Sequence, residues 1–372
     1  MFQSTRPLTV LGKLARLNWL GLGLVAALAV IGTATLYSVA GGSFEPWAQR
    51  HAIRCVAGVV LLVGCACVPV RIWQGAAAPI YLAALALLIA VPLIGVEALG
   101  ARRWLTIAGV SIQPSEFMKV GLVLALASFY AALPPSDVSR PVWVALALAL
   151  IAVPVALTLK QPDLGTALLF LGLGLGIMFL AGVSLRYFAA GILAAALMLP
   201  FAAGHLHDYQ RRRIETFLDP STDPLGSGYH ITQARIALGA GGWSGQGYLN
   251  GSQNRLDFVP EKMTDFIFVV IGEEWGFIGT SVVLALFAAL IASVFAMALR
   301  SRSTFARLVI GGAALSLSIY VMINVAMVTG LIPVVGVPLP LISYGGTAMM
   351  TLMVALGLAA SADIHKIPPN GL

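Results

Sequence analysis

Asp265 stands where a long polar segment gives way to hydrocarbon. Pro260-Glu261-Lys262-Met263-Thr264-Asp265 is followed at once by Phe266-Ile267-Phe268-Val269-Val270-Ile271. A carboxylate at such a boundary is pulled two ways: burial disfavours its charged form, and nearby cations favour it. That balance suits a general base acting on a hydroxyl nucleophile. The plainer use of the same residue is to cap the helix that follows it. Glu261 and Lys262 sit close enough in sequence to touch whatever Asp265 touches. Glu273 and Glu274 come roughly two turns later on a helix, where they cannot both share the face of Asp265. For them, pairing with lysine or arginine is expected.

Other polar constellations are short and separated by apolar runs. Gly100-Ala101-Arg102-Arg103-Trp104-Leu105 precedes Gln113-Pro114-Ser115-Glu116-Phe117-Met118-Lys119. Ser115 is placed to cap a helix beginning near Glu116. Glu116 and Lys119 lie three apart and share a helix face. They form either a structural ion pair or, with Lys119 and Arg103 turned outward, a cationic surface for an anionic headgroup. Trp104 accompanies Arg103 as a candidate substrate contact. In Lys160-Gln161-Pro162-Asp163-Leu164-Gly165-Thr166 the proline breaks one helix and Asp163 can cap the next. Beside Lys160, that carboxylate could equally hold a cation or a sugar hydroxyl.

Arg211, Arg212 and Arg213 follow one another, so on a helix at most two of them face one ligand. Arg211 and Arg213 are the candidates, because the guanidinium fork suits a diphosphate. An interfacial run facing lipid headgroups is the alternative. The glycines at 239, 241, 242, 245 and 247 lack the strand-loop-helix setting of a phosphate loop and carry little alone. Three prolines and four glycines within Gly330–Thr347 forbid a continuous helix there. At membrane depth such a segment must be buried in protein or line a cavity.

Those residues need a scaffold, and composition says which. The chain has 372 residues, 59% hydrophobic and 10% charged, with a mean hydropathy of +0.93. Soluble domains carry roughly 25% charge. Apolar runs at 17–39, 52–70, 78–96, 118–133, 142–159, 164–183, 187–203, 276–298, 306–331 and 345–362 imply an all-α polytopic membrane protein. It has about ten transmembrane helices and a long extracytoplasmic loop, about 204–265, between helices seven and eight. Residues 1–372 read as a single integral-membrane domain. Ten Lys and Arg, from Arg6 to Lys366, fall on the side of the termini in short loops against six opposite. The bias puts both termini in the cytoplasm and the long loop outside. The net charge of +7 fits anionic lipid headgroups. No basic segment interleaved with aromatics suggests nucleic acid. Cys55, Cys65 and Cys67 share one apolar segment and read as small buried hydrophobes. No nucleotide motif or soluble ATP-binding region is evident.

Taken together, the motifs Q-P-S-E-F-M-K, Q-P-D-L-G-T, F-L-D-P-S-T-D-P-L-G-S-G-Y, P-E-K-M-T-D-F-I-F and P-L-I-S-Y-G-G-T resemble the SEDS family of integral-membrane peptidoglycan glycosyltransferases. They run along nearly the whole chain. V-V-G-V-P-L-P-L-I-S-Y-G-G-T and S-Q-N-R-L-D-F-V-P-E are more similar to its elongation branch than to its division branch. The resemblance implies polymerisation of lipid II into a nascent glycan strand on the outer face of the bacterial inner membrane. It makes Asp265 the essential acid, although Met263 stands where the family usually has histidine. It further implies a class B penicillin-binding protein partner within the elongation machinery. No cofactor is implied with certainty; a divalent cation such as magnesium or manganese remains open. A lipid II flippase is the rival from another class, and a non-catalytic scaffold a third.

Overall fold

The computed structural model describes residues 9–98, 101–107, 109–203, 208–223 and 226–365. Gly100 of the first motif, and Arg6 and Lys366 of the orientation count, lie outside the described residues. The elements in order are α1 (Val10–Ala15), α2 (Trp19–Val39), α3 (Ala48–Cys67), α4 (Val70–Gly75), α5 (Ala77–Ile94), β1 (Val96–Ala98), β2 (Ala101–Ile107), β3 (Val110–Ile112), α6 (Pro114–Ala131), α7 (Pro141–Lys160), α8 (Leu164–Leu180), α9 (Leu185–Ala203), α10 (Asp208–Leu218), α11 (Ser227–Gly241), α12 (Ser252–Arg255), α13 (Ile267–Arg300), α14 (Thr304–Val328) and α15 (Gly346–Ile364).

Each of the ten apolar runs is a helix. Seven of these are long and apolar enough to cross a membrane, and α8 and α9 are shorter apolar helices. α6 carries the buried charges Glu116 and Lys119. The exterior confirms the solvent. Val30, Val56, Val60, Leu82, Leu93, Ile192 and Leu197 are exposed, on a scale that only hydrocarbon surroundings make favourable. α14, α15 and α6 are the most buried helices and form the centre. Leu28 and Leu36 of α2, Leu122 and Leu126 of α6, Phe287 of α13 and Leu317 of α14 are buried in one apolar cluster.

Local chemistry explains where the helices begin. Asn18 and Asp163 accept from the backbone N–H of Gly21 and Thr166, at 3.0 and 3.1 Å, satisfying donors that the first turn leaves free. The expectation for Ser115 does not hold. α6 starts two residues earlier than expected, with Pro114 at its first position, and no side chain caps it. Proline needs no partner for a missing N–H, so the cap is dispensable.

Two parts of the chain read as loops are folded. Strands β1, β2 and β3 form a three-stranded antiparallel sheet, with Val96 opposite Trp104 and Thr106 opposite Ser111. The long loop carries α10, α11 and α12. Its glycine-rich stretch lies along the start of α13. Gln246 and Gly247 donate to the carbonyls of Glu273 and Glu274, and Phe277 and Ile278 donate to those of Gly242 and Trp243. Those bonds occupy backbone groups freed by a break at Gly276, whose φ of 66° is a left-handed conformation natural to glycine. α13 is therefore a short buried segment joined to a long one.

Candidate active site

The polar motifs meet at one end of the bundle, around the turn that precedes α13. Residues 261–266 close on themselves: Thr264 and Phe266 donate their N–H groups to the Glu261 carbonyl, at 3.0 and 3.2 Å. The turn is then pinned to residues 337–344. Tyr344 N–H donates to the Met263 carbonyl at 2.8 Å, and Ser343 Oγ donates to the Thr264 carbonyl at 2.6 Å. Asn324 of α14 donates from Nδ2 to the carbonyls of Asp265, at 2.8 Å, and Val337, at 2.7 Å. A buried amide bridging two backbone segments fixes their relative position, because leaving those carbonyls unpaired would cost about 1–3 kcal/mol each.

The Asp265 side chain is left uncommitted. The N-cap of α13 is Phe266, and no side chain caps that helix, so capping does not account for the acid. Among the described residues no hydrogen bond or ion pair reaches its carboxylate. It is half-buried. Burial, and secondarily the negative charge of Glu261, push its pKa from the ordinary 3.8 to about 7. The cations that the sequence suggested as a counterweight are engaged elsewhere. Lys262 donates to Asp257 Oδ1 at 2.6 Å and to the Asn254 carbonyl. Glu261 is exposed and accepts from Thr264 Oγ1 at 2.9 Å.

Gly336 shows how closely the 330–345 segment approaches. A Cβ built there would lie 3.3 Å from Asp265 Oδ2, and its φ is +74°. On the other side of that segment, a Cβ on Gly165 would lie 2.7 Å from the Val335 carbonyl. The N-terminus of α8, capped by Asp163, thus packs directly on the strip that faces Asp265. Arg103 reaches the same corner. Its Nε lies 3.9 Å from Asp163 Oδ2, and its guanidinium donates to the carbonyls of Gln161 and Pro162.

Glu116 and Lys119 form the buried alternative of the two expected. Lys119 Nζ lies 2.7 Å from Glu116 Oε1 and also contacts the Tyr320 hydroxyl. Tyr320 donates to Glu116 Oε2 at 2.7 Å, and Thr351 Oγ1 does so at 3.1 Å. All four side chains are buried. Tyr320 stands one turn from Asn324 on α14, so this cluster supports the helix that holds Asp265.

Other candidates lie apart. Trp104 is partly buried on β2, and Lys160 is exposed at the end of α7. Arg211 pairs with Glu215 at 2.9 Å on exposed α10. Arg213 instead lines a cavity of about 300 Å³ between α8, α10, α14 and the 330–345 segment. Glu273 and Glu274 correct an expectation. Both are buried, and among the described residues neither has a Lys or Arg partner. Glu273 accepts from the backbone of Gln253 and Asn254, and Glu274 from Ser38 Oγ and Asn254 Nδ2. They tie the long loop to α2 and α13. Among the described residues no group of three or more His, Cys, Asp or Glu is placed to hold a metal ion.

Sequence reading missed Asn324, Tyr320 and Thr351, although polar side chains inside apolar spans are a usable signal. It also missed Tyr344, which lies under the Arg54 guanidinium at 4.4 Å and against Trp47 at 5.0 Å. His230 of α11 packs against Phe266 with ring centroids 5.9 Å apart. Burial holds its pKa below the ordinary 6.5, against the opposing pull of Glu261 and Asp223. No local pattern marked it.

Fold and site together define a polytopic, mostly helical membrane protein in which the unpaired Asp265 carboxylate lies against the 330–345 segment. A family model described as "Cell cycle protein", spanning FtsW, RodA and SpoVE, matches residues 12–367. The chain belongs to that family. It is 41% identical over 346 residues to the peptidoglycan glycosyltransferase MrdB of Escherichia coli K12, covering 92% of each chain. It is 34% identical over 377 residues to a probable peptidoglycan glycosyltransferase FtsW of Trichlorobacter lovleyi, covering 96% and 97%. Among solved structures it superposes on a chain from work described as "Structural coordination of polymerization and crosslinking by a peptidoglycan synthase complex", with TM-score 0.83, 34% identity and coverage of 94% and 98%. It also superposes on the Thermus thermophilus rod shape determining protein RodA, with TM-score 0.71, 30% identity and coverage of 95% and 98%.

Proposed function

We propose that this chain is a peptidoglycan glycosyltransferase that polymerises lipid II during cell elongation and cell-shape maintenance. One observation carries the chemistry: a half-buried carboxylate with no partner of its own, titrating near neutrality, at the one place where the motifs converge. A base with a pKa near the working pH combines availability with proton affinity.

The reaction is an inverting transfer. The 4-hydroxyl oxygen of one N-acetylglucosamine attacks C1 of an N-acetylmuramic acid. Its proton passes to Asp265 as the new C1–O bond forms. The bond from C1 to the diphosphate oxygen breaks, and its electron pair leaves with polyprenyl diphosphate. A diphosphate needs its growing charge neutralised by preorganised cations rather than full protonation. Arg103, at the Asp163 corner, and Arg213, beside Val335, are the candidates, and Glu116 with Lys119 supports α14 beneath the site. The active site faces outward from the cytoplasmic membrane with both termini inside, a reading supported by the lysine and arginine bias. A class B penicillin-binding protein is the partner; the structural neighbour that couples polymerisation to crosslinking supports it. The flippase reading is weaker, because the charged motifs gather at one end of the bundle.

The test is polymerisation of purified lipid II by the purified chain, alone and with the transpeptidase. Wild type yields glycan strands and Asp265→Asn yields none. Strands from the Asp265→Asn protein, or lipid II translocation without strands from the wild type, would overturn the reading.

A further inference from the structure

Arg54 is a charge that the chemistry above does not use. It lies in the second turn of α3, a helix long and apolar enough to cross a membrane, where a cation is costly unless something engages it. Among the described residues no hydrogen bond or ion pair reaches its guanidinium. Arg50, one turn earlier, is exposed, as a headgroup-facing arginine would be. Arg54 is instead partly buried. Its Cζ stands 4.4 Å from the ring centroid of Tyr344. It also covers the bare backbone of Gly346, where an added Cβ would lie 3.2 Å from Cζ. Trp47, two turns before Arg54 and on the same face, meets the Tyr344 ring edge-on at 5.0 Å. Two side chains of α3 therefore grip one tyrosine.

The grip matters because of what Tyr344 holds. Its N–H donates to the carbonyl of Met263 at 2.8 Å, two residues before Asp265, and its neighbour Ser343 donates to that of Thr264. α3 touches the same segment again at His51, which is 1% exposed and hydrogen-bonds the Leu341 backbone. Leu341 has a φ of 64°, a left-handed conformation that persists away from glycine only when the surroundings over-determine it. Further along that face, Cys55 meets Met349 and Gly58 meets Met353 of α15. The grip is thus mounted on a closely packed helix pair. A segment without regular structure takes its position from the rigid element packed against it.

We infer that Arg54 is a positioning residue for the reacting acid: stacked on Tyr344, with Trp47 at the ring edge, it fixes the 341–346 segment and through it the 261–266 turn that carries Asp265. This rests on the glycosyltransferase reading and goes further, because it gives the site a support on α3. Arg54 touches no reacting atom. A turn released from Tyr344 still binds substrate but spends less time with Asp265 in place, so the loss falls on kcat rather than on KM.

The experiment uses the full chain and lipid II. Tyr344→Phe is the reference, and mono-, di- and trifluorinated phenylalanine at the same position keep its shape while draining the negative face of the ring. With Arg54 present, kcat should fall at each step, by about tenfold across the series, with KM nearly unchanged. Arg54→Gln should lower kcat by about tenfold at once and make it indifferent to the fluorines, because the partner charge is gone. The pH of half-maximal rate should also fall in Arg54→Gln. Burial is what raises the Asp265 pKa, a loosened turn admits water, and Glu261, the charge that faces it, is unaltered. A flat series with Arg54 present would overturn the inference, as would an equal slope in the Arg54→Gln background. Amide hydrogen exchange supplies a readout that needs no turnover. Arg54→Gln should hasten exchange at residues 261–266 and 341–346 and leave α7 as in the wild type; faster exchange throughout would mark a general loss of stability and overturn the inference too. Wild-type strand synthesis separates the failures. Strands from the wild type with a flat series remove the role of Arg54 alone, whereas no strands from the wild type remove the enzyme and leave exchange to judge the grip.

Discussion

Replacing Asp265 by asparagine should make the protein inactive and more stable. The carboxyl keeps its proton up to about pH 7 in the folded chain and only to about 3.8 once unfolded. A raised acid pKa means that the folded state binds the proton more tightly than the unfolded state. Below pH 4 both states hold it, and ionisation costs the fold nothing. Between pH 4 and 7 the unfolded chain ionises first, so stability falls as pH rises. Above pH 7 the loss is complete. At ~1.36 kcal/mol per pH unit, the interval amounts to about 4 kcal/mol. The amide has nearly the same shape and never ionises. Thermal unfolding of both purified proteins should therefore give a clearly higher midpoint for Asp265→Asn at pH 8, with the two curves converging near pH 4. Equal midpoints at pH 8, or a gap that ignores pH, would refute the claim that this acid is held against its own ionisation. Such a site resembles others in which function is kept at the expense of stability.

The same pKa sets the rate. Polymerisation should rise with pH through about 7 and level off, and Glu261→Gln should move the midpoint lower, since the charge that raises it is gone; a pH–rate profile of both decides. Lys119→Met should destabilise by about 3–5 kcal/mol by leaving Glu116 buried and unpaired, with much of the loss recovered when Glu116→Gln is added; denaturation of the single and double variants checks it. Gly336→Ala should cost about 1–2 kcal/mol for its left-handed backbone and lower kcat by crowding Asp265 Oδ2, with little change in donor KM. Asn324→Leu should lower kcat more than it lowers the unfolding midpoint, because its amide positions the 261–266 turn; comparable losses in both would mark it as merely structural.

The linear sequence was enough to identify the class of scaffold and to single out Asp265 as the candidate base. Ten apolar runs became ten helices, because hydrocarbon leaves a backbone few ways to satisfy its own polar groups. Asp163 could be read as a cap from its place after Pro162, since capping depends only on the next three residues. Asp265 stood out because a charge beside a long apolar run is costly wherever the chain goes. Which polar groups meet was decided elsewhere. Lys119 could face a headgroup or Glu116 on spacing alone; Tyr320 and Thr351, some 200 residues further along, settle it by closing a buried cluster around the pair. Glu273 and Glu274 needed no lysine because the folded loop brings backbone N–H groups to one and Ser38 and Asn254 to the other. Arg211 and Arg213, two residues apart, end in unlike surroundings because α10 turns one outward and the other toward α8. Helical and capping propensities act within a few residues and can be read locally. Partnership among buried polar groups depends on which distant segments occlude water together, and only the packed bundle determines that.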